Sequence, residues 1–220
     1  MVGKPDCWIG LIRAIGGGTH TRMSMTRLRE ACEGCGFQDV RTVLATGNVV
    51  FRSPLPEAKI HRRLAKIIAA HGLDNDVFLR SPADLRQVLE ADPFPDAATD
   101  RPGSLLVMFM QPPPDAAAEA LPNGYERPER LRLIGRDAYI DYADTIGQSR
   151  LTPTRLEWHF GQPGTARNWN TIHKLLAGLC GWIGRLWHRL ATPQSRKHAV
   201  PGHQALRNRS GIATIGVLPA

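Results

Sequence analysis

Hydrophobic and polar positions in the N-terminal third of the chain change repeatedly from a period of two to a period near 3.6, which predicts alternating strands and helices. Ser24 stands where an N-cap residue would begin the first helix, and Gly36 stands where that helix would end. The Thr46-Gly47 pair between two apolar runs is a β-hairpin signal. The predicted order is strand, helix, strand, strand, helix and strand, over residues 7–13, 25–35, 40–45, 48–52, 56–71 and 76–80.

The rest of the chain has a weaker pattern of the same kind. It predicts a linking helix at 82–91, a loop at 92–103, a strand at 104–110, a short helix at 115–121, a hairpin of 129–134 and 138–142, and helices at 151–160 and 168–179. Apolar residues between 182 and 187 would extend the last helix. This order resembles a partial repeat of the first one, although no repeat is visible residue by residue.

The fold class predicted from these elements is α+β. Residues 1–81 are expected to form a ferredoxin-like βαββαβ unit with strand order 4-1-3-2 and both helices on one face of the sheet. Residues 82–190 are expected to form a second, smaller α/β unit that resembles a partial ferredoxin-like repeat. Residues 191–220 have no apolar period, and we predict a basic, disordered tail that the fold does not need.

Composition narrows the functional classes. No apolar run reaches the roughly 20 residues of a membrane-spanning helix, the polar start argues against a signal peptide, and the four cysteines lack a disulfide-scaffold spacing. We therefore expect a cytoplasmic protein with no membrane partner. Residues 1–157 hold 20 basic and 20 acidic residues, so the net charge of +8 comes entirely from the remainder of the chain. Such a basic end suggests nucleic acid or an anionic surface, or is incidental.

Two predicted loops lie at the same end of the first sheet, because strand 1 and strand 2 run in the same direction. The ligand-binding residues predicted there are Arg13, Gly16, Gly17, Gly18, Thr19, Thr46, Gly47 and Asn48. Glycine backbone and an arginine suit a phosphate or a carboxylate. In the structural alternative the glycines only allow a tight connection, and Arg13 bonds carbonyl groups of the hairpin. The loop matches neither a Walker motif nor the dinucleotide fingerprint.

Three more polar residues mark the start of the last predicted helix, namely Arg167, Asn168 and Asn170. The free N–H groups of a helix start suit an anion, whereas the alternative is that Asn168 caps the helix while Trp169 packs in the core.

The cysteines, histidines and aspartates give weaker signals for a metal, redox or catalytic site. The pair Cys32 and Cys35 closes a helix and has no second pair, so we expect neither a metal site nor a redox motif. His20 and His159, the two histidines near candidate loops, and the sequence neighbours Asp137, Asp141 and Asp144 form no arrangement that specifies a reaction.

Several separated motifs carry a family resemblance. They are Trp8-Ile-Gly-Leu-Ile-Arg13-Ala-Ile15 with Gly18, Met25 and Leu28, then Gly36-Phe37, Val40-Arg-Thr42 and Thr46-Gly-Asn-Val-Val-Phe51, then Arg167-Asn-Trp-Asn-Thr171 with Lys174-Leu175. Together they resemble the bacterial family of domains of unknown function numbered 1697 (DUF1697). The resemblance implies a ferredoxin-like unit with a second, smaller α/β unit, and it implies no established activity.

The chain departs from the family pattern in the first loop. That loop commonly reads Arg-Gly-Ile-Asn-Val-Gly-Gly, whereas this chain replaces four of its residues with Ala14, Gly16, Gly17 and Thr19. The polar side chain of the asparagine is lost at Gly16. Thr46 replaces the usual serine and keeps its hydroxyl group.

The function expected from the sequence is the binding of a small anionic ligand, phosphate- or carboxylate-bearing, at the loop and hairpin end of the first sheet. No cofactor is expected, and the sequence does not specify an oligomeric state. Three alternatives stay open: a nucleic-acid-binding module, with Phe51 as a base-stacking aromatic; an enzyme acting on a small polar substrate; and a scaffold without a ligand.

Overall fold

The structure is a computed structural model that describes residues 6–15, 22–111, 113–114, 129–143 and 146–190, with residues 180–190 described through their backbone alone. The short helix expected at 115–121 and the tail at 191–220 lie outside the described residues. So do Gly16, Gly17, Gly18 and Thr19 of the predicted site, together with His20 and Asp144.

The first half forms a four-stranded antiparallel sheet. Its elements are β1 (Asp6–Ile12), α1 (Met25–Gly34), β2 (Gln38–Thr42), β3 (Asn48–Ser53), α2 (Glu57–Ala70) and β4 (Val77–Arg80). The strands lie side by side in the order β2-β3-β1-β4, with β1 paired to β3 and β4. The predicted element order and the predicted strand order 4-1-3-2 are therefore both confirmed.

Each face of this sheet is buried, which explains why β1 is apolar on both alternating sides. Ser24 caps α1 by accepting a hydrogen bond from the Arg27 backbone N–H at 3.3 Å, as predicted. The apolar sides of α1 and α2 cover one face of the sheet, over Val49, Phe51 and Leu79. Both helices thus lie on one face, in agreement with the prediction.

The second half forms another four-stranded antiparallel sheet. Its elements are α3 (Pro82–Ala91), α4 (Pro95–Asp100), β5 (Leu105–Phe109), β6 (Arg130–Ile134), β7 (Asp137–Asp141), a 3-10 turn (Ile146–Gln148), α5 (Pro153–Phe160), β8 (Thr165–Asn168) and α6 (Trp169–Leu190). The strand order is β6-β7-β5-β8. No helix in the part of the chain that the structure describes is long and apolar enough to cross a membrane.

Two expectations for this half were wrong. The loop expected at 92–103 contains α4, because Pro95 stands at the start of the helix, where a proline costs no hydrogen bond. The residues directly before the last helix, where no strand was expected, form β8, and α6 begins at Trp169. β8 has four residues, too few for its pattern to show a period.

The two sheets repeat one topology. Matching β1 with β5, β3 with β7 and β4 with β8 gives the same strand order in both halves. The strand registers fix the matching residues: Leu11 faces Asn48 as Phe109 faces Asp137. Arg80 is paired with Ile9, two residues before Leu11, and Arg167 with Val107, two residues before Phe109. Arg80 and Arg167 therefore occupy equivalent positions, and so do Asn48 and Asp137.

The two halves share a hydrophobic core. One cluster of buried residues contains Ile9 and Val50 of the first sheet, Val107 and Tyr139 of the second, and residues of α3 and α6. A separate cluster lies between the second sheet and α5. The inner faces of the two sheets therefore enclose the polar groups that lie between them, including Arg80 and Arg167.

Candidate functional site

The β2–β3 hairpin lies directly against the end of β1. The backbone N–H of Ile12 donates to the Gly47 carbonyl at 2.8 Å. Gly47 has a φ of +71°, and a Cβ added there would stand 2.8 Å from Ile15 Cβ and 2.9 Å from the Ile12 carbonyl oxygen. Glycine is therefore required at this position both for its conformation and for the close approach.

Asn48 fixes the hairpin from inside. Its side-chain Nδ2 donates to the Val43 carbonyl at 2.9 Å and to the Thr46 hydroxyl at 3.0 Å, and the residue is fully buried. The Val43 backbone N–H donates back to the Asn48 carbonyl at 3.0 Å. These bonds use the amide nitrogen of Asn48 and leave its Oδ1 facing the second sheet.

Arg167 reaches this oxygen from β8. Its Nε donates to Asn48 Oδ1 at 2.6 Å, and its Nη2 donates to the carbonyls of Ile12 and Thr46, both at 3.0 Å. Its Nη1 donates at 2.8 Å to the Thr165 hydroxyl and to the Ala166 carbonyl. All five N–H donors of the guanidinium are thus used, and every acceptor is neutral.

The charge of Arg167 is buried among neutral hydrogen-bond partners in the part of the chain that the structure describes. Only 8% of the residue is exposed, and none of its partners in the described part of the chain is a carboxylate. Burial lowers the pKa of this guanidinium to about 10, so it stays protonated at neutral pH. A full positive charge is therefore buried beside the hairpin and the end of β1.

Arg80 is the counterpart of Arg167, and it reaches from the first sheet to the second. It stands on β4 and donates through Nη2 to the Met110 carbonyl at 2.8 Å, as Arg167 donates to the Ile12 carbonyl. Its other Nη2 bond goes to Asp137 Oδ1 at 2.6 Å, where Arg167 meets Asn48. Burial raises the pKa of the Asp137 carboxyl, and the charge of Arg80 opposes that rise. One arginine is thus paired with an acid and the other with an amide.

Arg13 is held by a carboxylate of the second half. Its Nε and Nη2 donate to Oε1 and Oε2 of Glu157 on α5, at 2.8 and 2.7 Å. The side chain of Arg13 is 38% exposed, and its Nη1 lies 3.8 Å from Asp76. The structural alternative had assigned the hairpin carbonyls to Arg13, whereas it is Arg167 that bonds them.

The structure therefore brings some predicted site residues together. Thr46, Gly47, Asn48 and Arg167 form one connected group, and Arg13 follows Ile12, whose carbonyl Arg167 also bonds. The sequence leaves open whether Arg167 reaches the first loop and hairpin, and the structure places it against the hairpin.

The other two polar residues near α6 lie apart from that group. Asn168 accepts hydrogen bonds from the backbone N–H and the hydroxyl of Thr171 at 2.9 and 2.7 Å, while Trp169 is buried in the shared core. The predicted cap and packing alternative is confirmed. Asn170 is exposed.

The contacts of the remaining candidate residues are those of core packing and ion pairing. Cys32 stands on the buried side of α1, and burial raises the pKa of its thiol to about 12, while Cys35 is exposed. Asp141 bonds two arginines, Arg101 and Arg130, at 2.7 to 2.9 Å. The described residues contain no group of three or more histidine, cysteine or acidic side chains placed to hold a metal ion.

Three further residues that form ion pairs here were not predicted from the sequence, namely Arg80, its partner Asp137, and Glu157. A signal for the first was present in the sequence: in each half an arginine precedes the residue that caps a helix, Ser81 for α3 and Asn168 for α6. A search for that short repeat would have linked Arg80 with Arg167. No local pattern marks Glu157, which lies 144 residues from its partner Arg13.

A cleft of about 210 Å³ lies in the second half, between α3 and the β6–β7 hairpin, lined by Asp84, Gln87, Val88, Ile134, Gly135, Arg136, Asp137 and Tyr139. Each charged group that lines it has an opposite charge beside it: Arg136 pairs with Asp84 at 3.3 Å, and Asp137 pairs with Arg80, which lies outside the lining. The balance of charge here contrasts with the unbalanced Arg167.

Comparison with known proteins supports the fold. The model of the family described as protein of unknown function (DUF1697) matches residues 6–139. The chain is similar in structure to the conserved bacterial protein SP0830 from Streptococcus pneumoniae, with a TM-score of 0.60 and 20% sequence identity, over 80% of this chain and 99% of that one. No functionally curated protein matches the chain in sequence.

Proposed function

Since the chain belongs to the DUF1697 family, whose description names no activity, we propose its function from the site itself. The protein binds a small anionic ligand, bearing a phosphate or a carboxylate group, at the end of the first sheet. Arg13, Thr46 and the hairpin backbone contact the ligand, and the Arg167 charge stands behind them. The sequence suggests residues 16–19, three glycines followed by a threonine, as the neighbouring loop.

The observation that carries this proposal is the buried positive charge of Arg167. In the equivalent position of the second half, the acid Asp137 balances Arg80, whereas Asn48 leaves Arg167 unbalanced. Uncompensated buried charge is costly to a protein. At an effective dielectric constant near 20, an anion roughly 8 Å away would gain about 2 kcal/mol from it. That gain corresponds to about a thirtyfold change in affinity.

Arg13 and the hairpin supply the direct contacts. Arg13 already holds a carboxylate in the two-pronged geometry by which arginine recognises carboxylates and phosphates. Residues 44–46 are exposed, and Leu44 has a positive φ of 59°. Backbone N–H groups in such turns are donors for anions. The charge of Arg167 favours negative ligands, while Arg13 and the turn orient them.

The three alternatives differ in their support. Phe51, the proposed base-stacking residue, is fully buried and stacked on Phe37 at 4.4 Å, so it has no face open to a base. This removes one of the two observations that favoured nucleic acid, the other being the basic end of the chain. For the enzyme alternative, the described contacts of Arg13, Thr46 and Asn48 include no histidine or cysteine that would act as base or nucleophile. A scaffold without a ligand stays the simplest competitor.

The proposal is tested by titrating the full chain with inorganic phosphate and with citrate by isothermal calorimetry. We expect at least one of these anions to bind saturably to the original chain. The Arg13→Ala variant should not bind it, and without ligand this variant should melt at a temperature close to that of the original chain. Arg62→Ala is the matched control, because Arg62 is exposed and its one recorded side-chain bond goes to its own helix. Heats that are absent for the original chain would favour the scaffold, whereas equal heats for Arg13→Ala would mean that the anion binds away from Arg13 and would contradict the proposed site.

A further inference from the structure

Glu157 joins the second half of the molecule to the predicted site in the first. Thr152 caps α5, and Leu156 and Phe160 pack in the core beside the second sheet. This packing directs Glu157 sideways, where both of its oxygens meet Arg13. Its Oε1 also accepts a bond from the Gly164 backbone N–H at 3.4 Å.

The contact imitates a bound ligand. A carboxylate that takes Nε and Nη2 of an arginine at 2.8 and 2.7 Å occupies the edge that a ligand carboxylate or phosphate would use. Both partners reach solvent, with 38% of the Arg13 side chain and 17% of the Glu157 side chain exposed. The two-pronged geometry makes this pair stronger than an ordinary surface ion pair. Both partners still contact water, so an external anion that offers the same geometry can replace Glu157.

We propose that Glu157 is a built-in competitor that occupies Arg13 until the anionic ligand displaces it. This inference rests on the proposed function, and it adds a regulation of that site. Ligand binding then breaks a direct link between the two halves. The ligand must offer two oxygens in one plane, as Glu157 does, and this requirement selects carboxylates and phosphates over monatomic anions such as chloride.

Arg13 keeps its place when Glu157 leaves. Its backbone N–H donates to the Asp76 carbonyl at 2.9 Å, and its carbonyl accepts from Asn75 Nδ2 at 2.9 Å. The Asp76 carboxylate lies 3.8 Å from Nη1, on a side chain that is 47% exposed. It orients the guanidinium from the side and is screened by solvent, so it opposes the ligand less than Glu157 does.

The experiment compares the affinity for inorganic phosphate of the original chain and of Glu157→Gln, by calorimetry at constant ionic strength. We expect Glu157→Gln to bind phosphate at least about tenfold more tightly, which is about 1.4 kcal/mol, because the amide competes weakly for Arg13. Glu33→Gln makes the same change of net charge on an exposed residue at the far end of α1, and should change the affinity less than about twofold. Glu157→Ala provides a second variant, and melting curves confirm that each protein is folded.

The outcomes separate the two proposals. Equal or weaker phosphate binding by both Glu157 variants, with the original chain still binding, would overturn the competitor and leave the proposed function standing. Phosphate binding by the variants alone would support both, since it would show that Glu157 masks the site. If neither the original chain nor the variants bind phosphate, both proposals fail.

Discussion

Two buried arginines in the described part of the chain, Arg80 and Arg167, are equivalent in position but differ in the charge of their partners. Arg80 and Arg167 each leave the fourth strand of one sheet and bond a carbonyl at the end of the first strand of the other. Each also bonds the carbonyl of the residue before it, Leu79 or Ala166. The contact that sets them apart is the one with β7 or β3, because Asp137 carries a charge and Asn48 does not.

The same topology therefore carries two different arrangements of charge. In the second half the arginine and the acid form an ion pair that joins the sheets, although Nε of Arg80 has no hydrogen-bond partner among the described residues. In the first half the same joint is made with neutral acceptors, so a positive charge remains. A balanced pair would suffice for a purely structural role in both halves, and we infer that the first half uses its charge for binding.

The largest expected effect comes from breaking the balanced pair. Arg80→Met should lower the free energy of unfolding by about 3–5 kcal/mol, because it leaves the Asp137 carboxylate buried without its partner. Urea denaturation measures the loss. Arg80→Met combined with Asp137→Asn should recover part of it, and a double variant as unstable as the sum of both single changes would contradict the pairing.

The same variant should make stability depend on pH in a defined direction. Burial raises the pKa of Asp137, so the folded Arg80→Met protein binds more protons there than the unfolded chain. Its stability should therefore fall as the pH rises above about 4, the ordinary value for an aspartate. Denaturation at pH 5 and pH 8 checks this, and equal losses at both would be the contrary result.

The two hairpin glycines should differ in cost. Gly47→Ala combines a positive φ with contacts of 2.8 and 2.9 Å, and should cost about 2–3 kcal/mol. Gly135→Ala, with a φ of +60° and nothing within 4 Å, should cost about 1 kcal/mol. Thermal unfolding compares the two. Similar losses would show that the hairpin of the first half is not pressed against β1.

The smallest expected effects are those on the two helix caps that follow the arginines. Ser81→Ala and Asn168→Ala should each cost about 1 kcal/mol, because each side chain accepts a bond from a backbone N–H three residues ahead. Melting temperatures measure both. A neutral Asn168→Ala would mean that the residue is available to a ligand and does not act chiefly as a cap.

Much of the fold was predictable because its periods are strong. The six elements of the first sheet have clear apolar patterns, and the hairpin is marked by Thr46 and Gly47, so the order and pairing of strands followed from the sequence. β8 did not follow, since its four residues include Arg167 and Asn168 and are too few to show alternation.

The site was predictable only in part, for a physical reason. The sequence placed Arg13 near the hairpin through the topology of a single sheet, but the partners of Arg13 and Arg167 come from the other half. Such contacts depend on how the two sheets pack, which no local pattern encodes. The sequence likewise allows Phe51 to be an open aromatic, as the nucleic-acid alternative requires, because the burial of Phe51 depends on Phe37 and on the helices that cover the sheet.

The central claim is that the buried charge of Arg167 favours binding of an anion. It is tested by placing an acid beside Arg167. Asn48→Asp would give Arg167 the acid that Arg80 has, and we expect phosphate affinity to fall by at least about tenfold. Asn48→Ala loses the same hydrogen bonds of Nδ2 without adding charge and should bind phosphate more tightly than Asn48→Asp. Asp137→Asn should leave the affinity within about twofold, because that change lies at the other arginine. Phosphate affinity that is the same in Asn48→Asp as in the original chain would contradict the account.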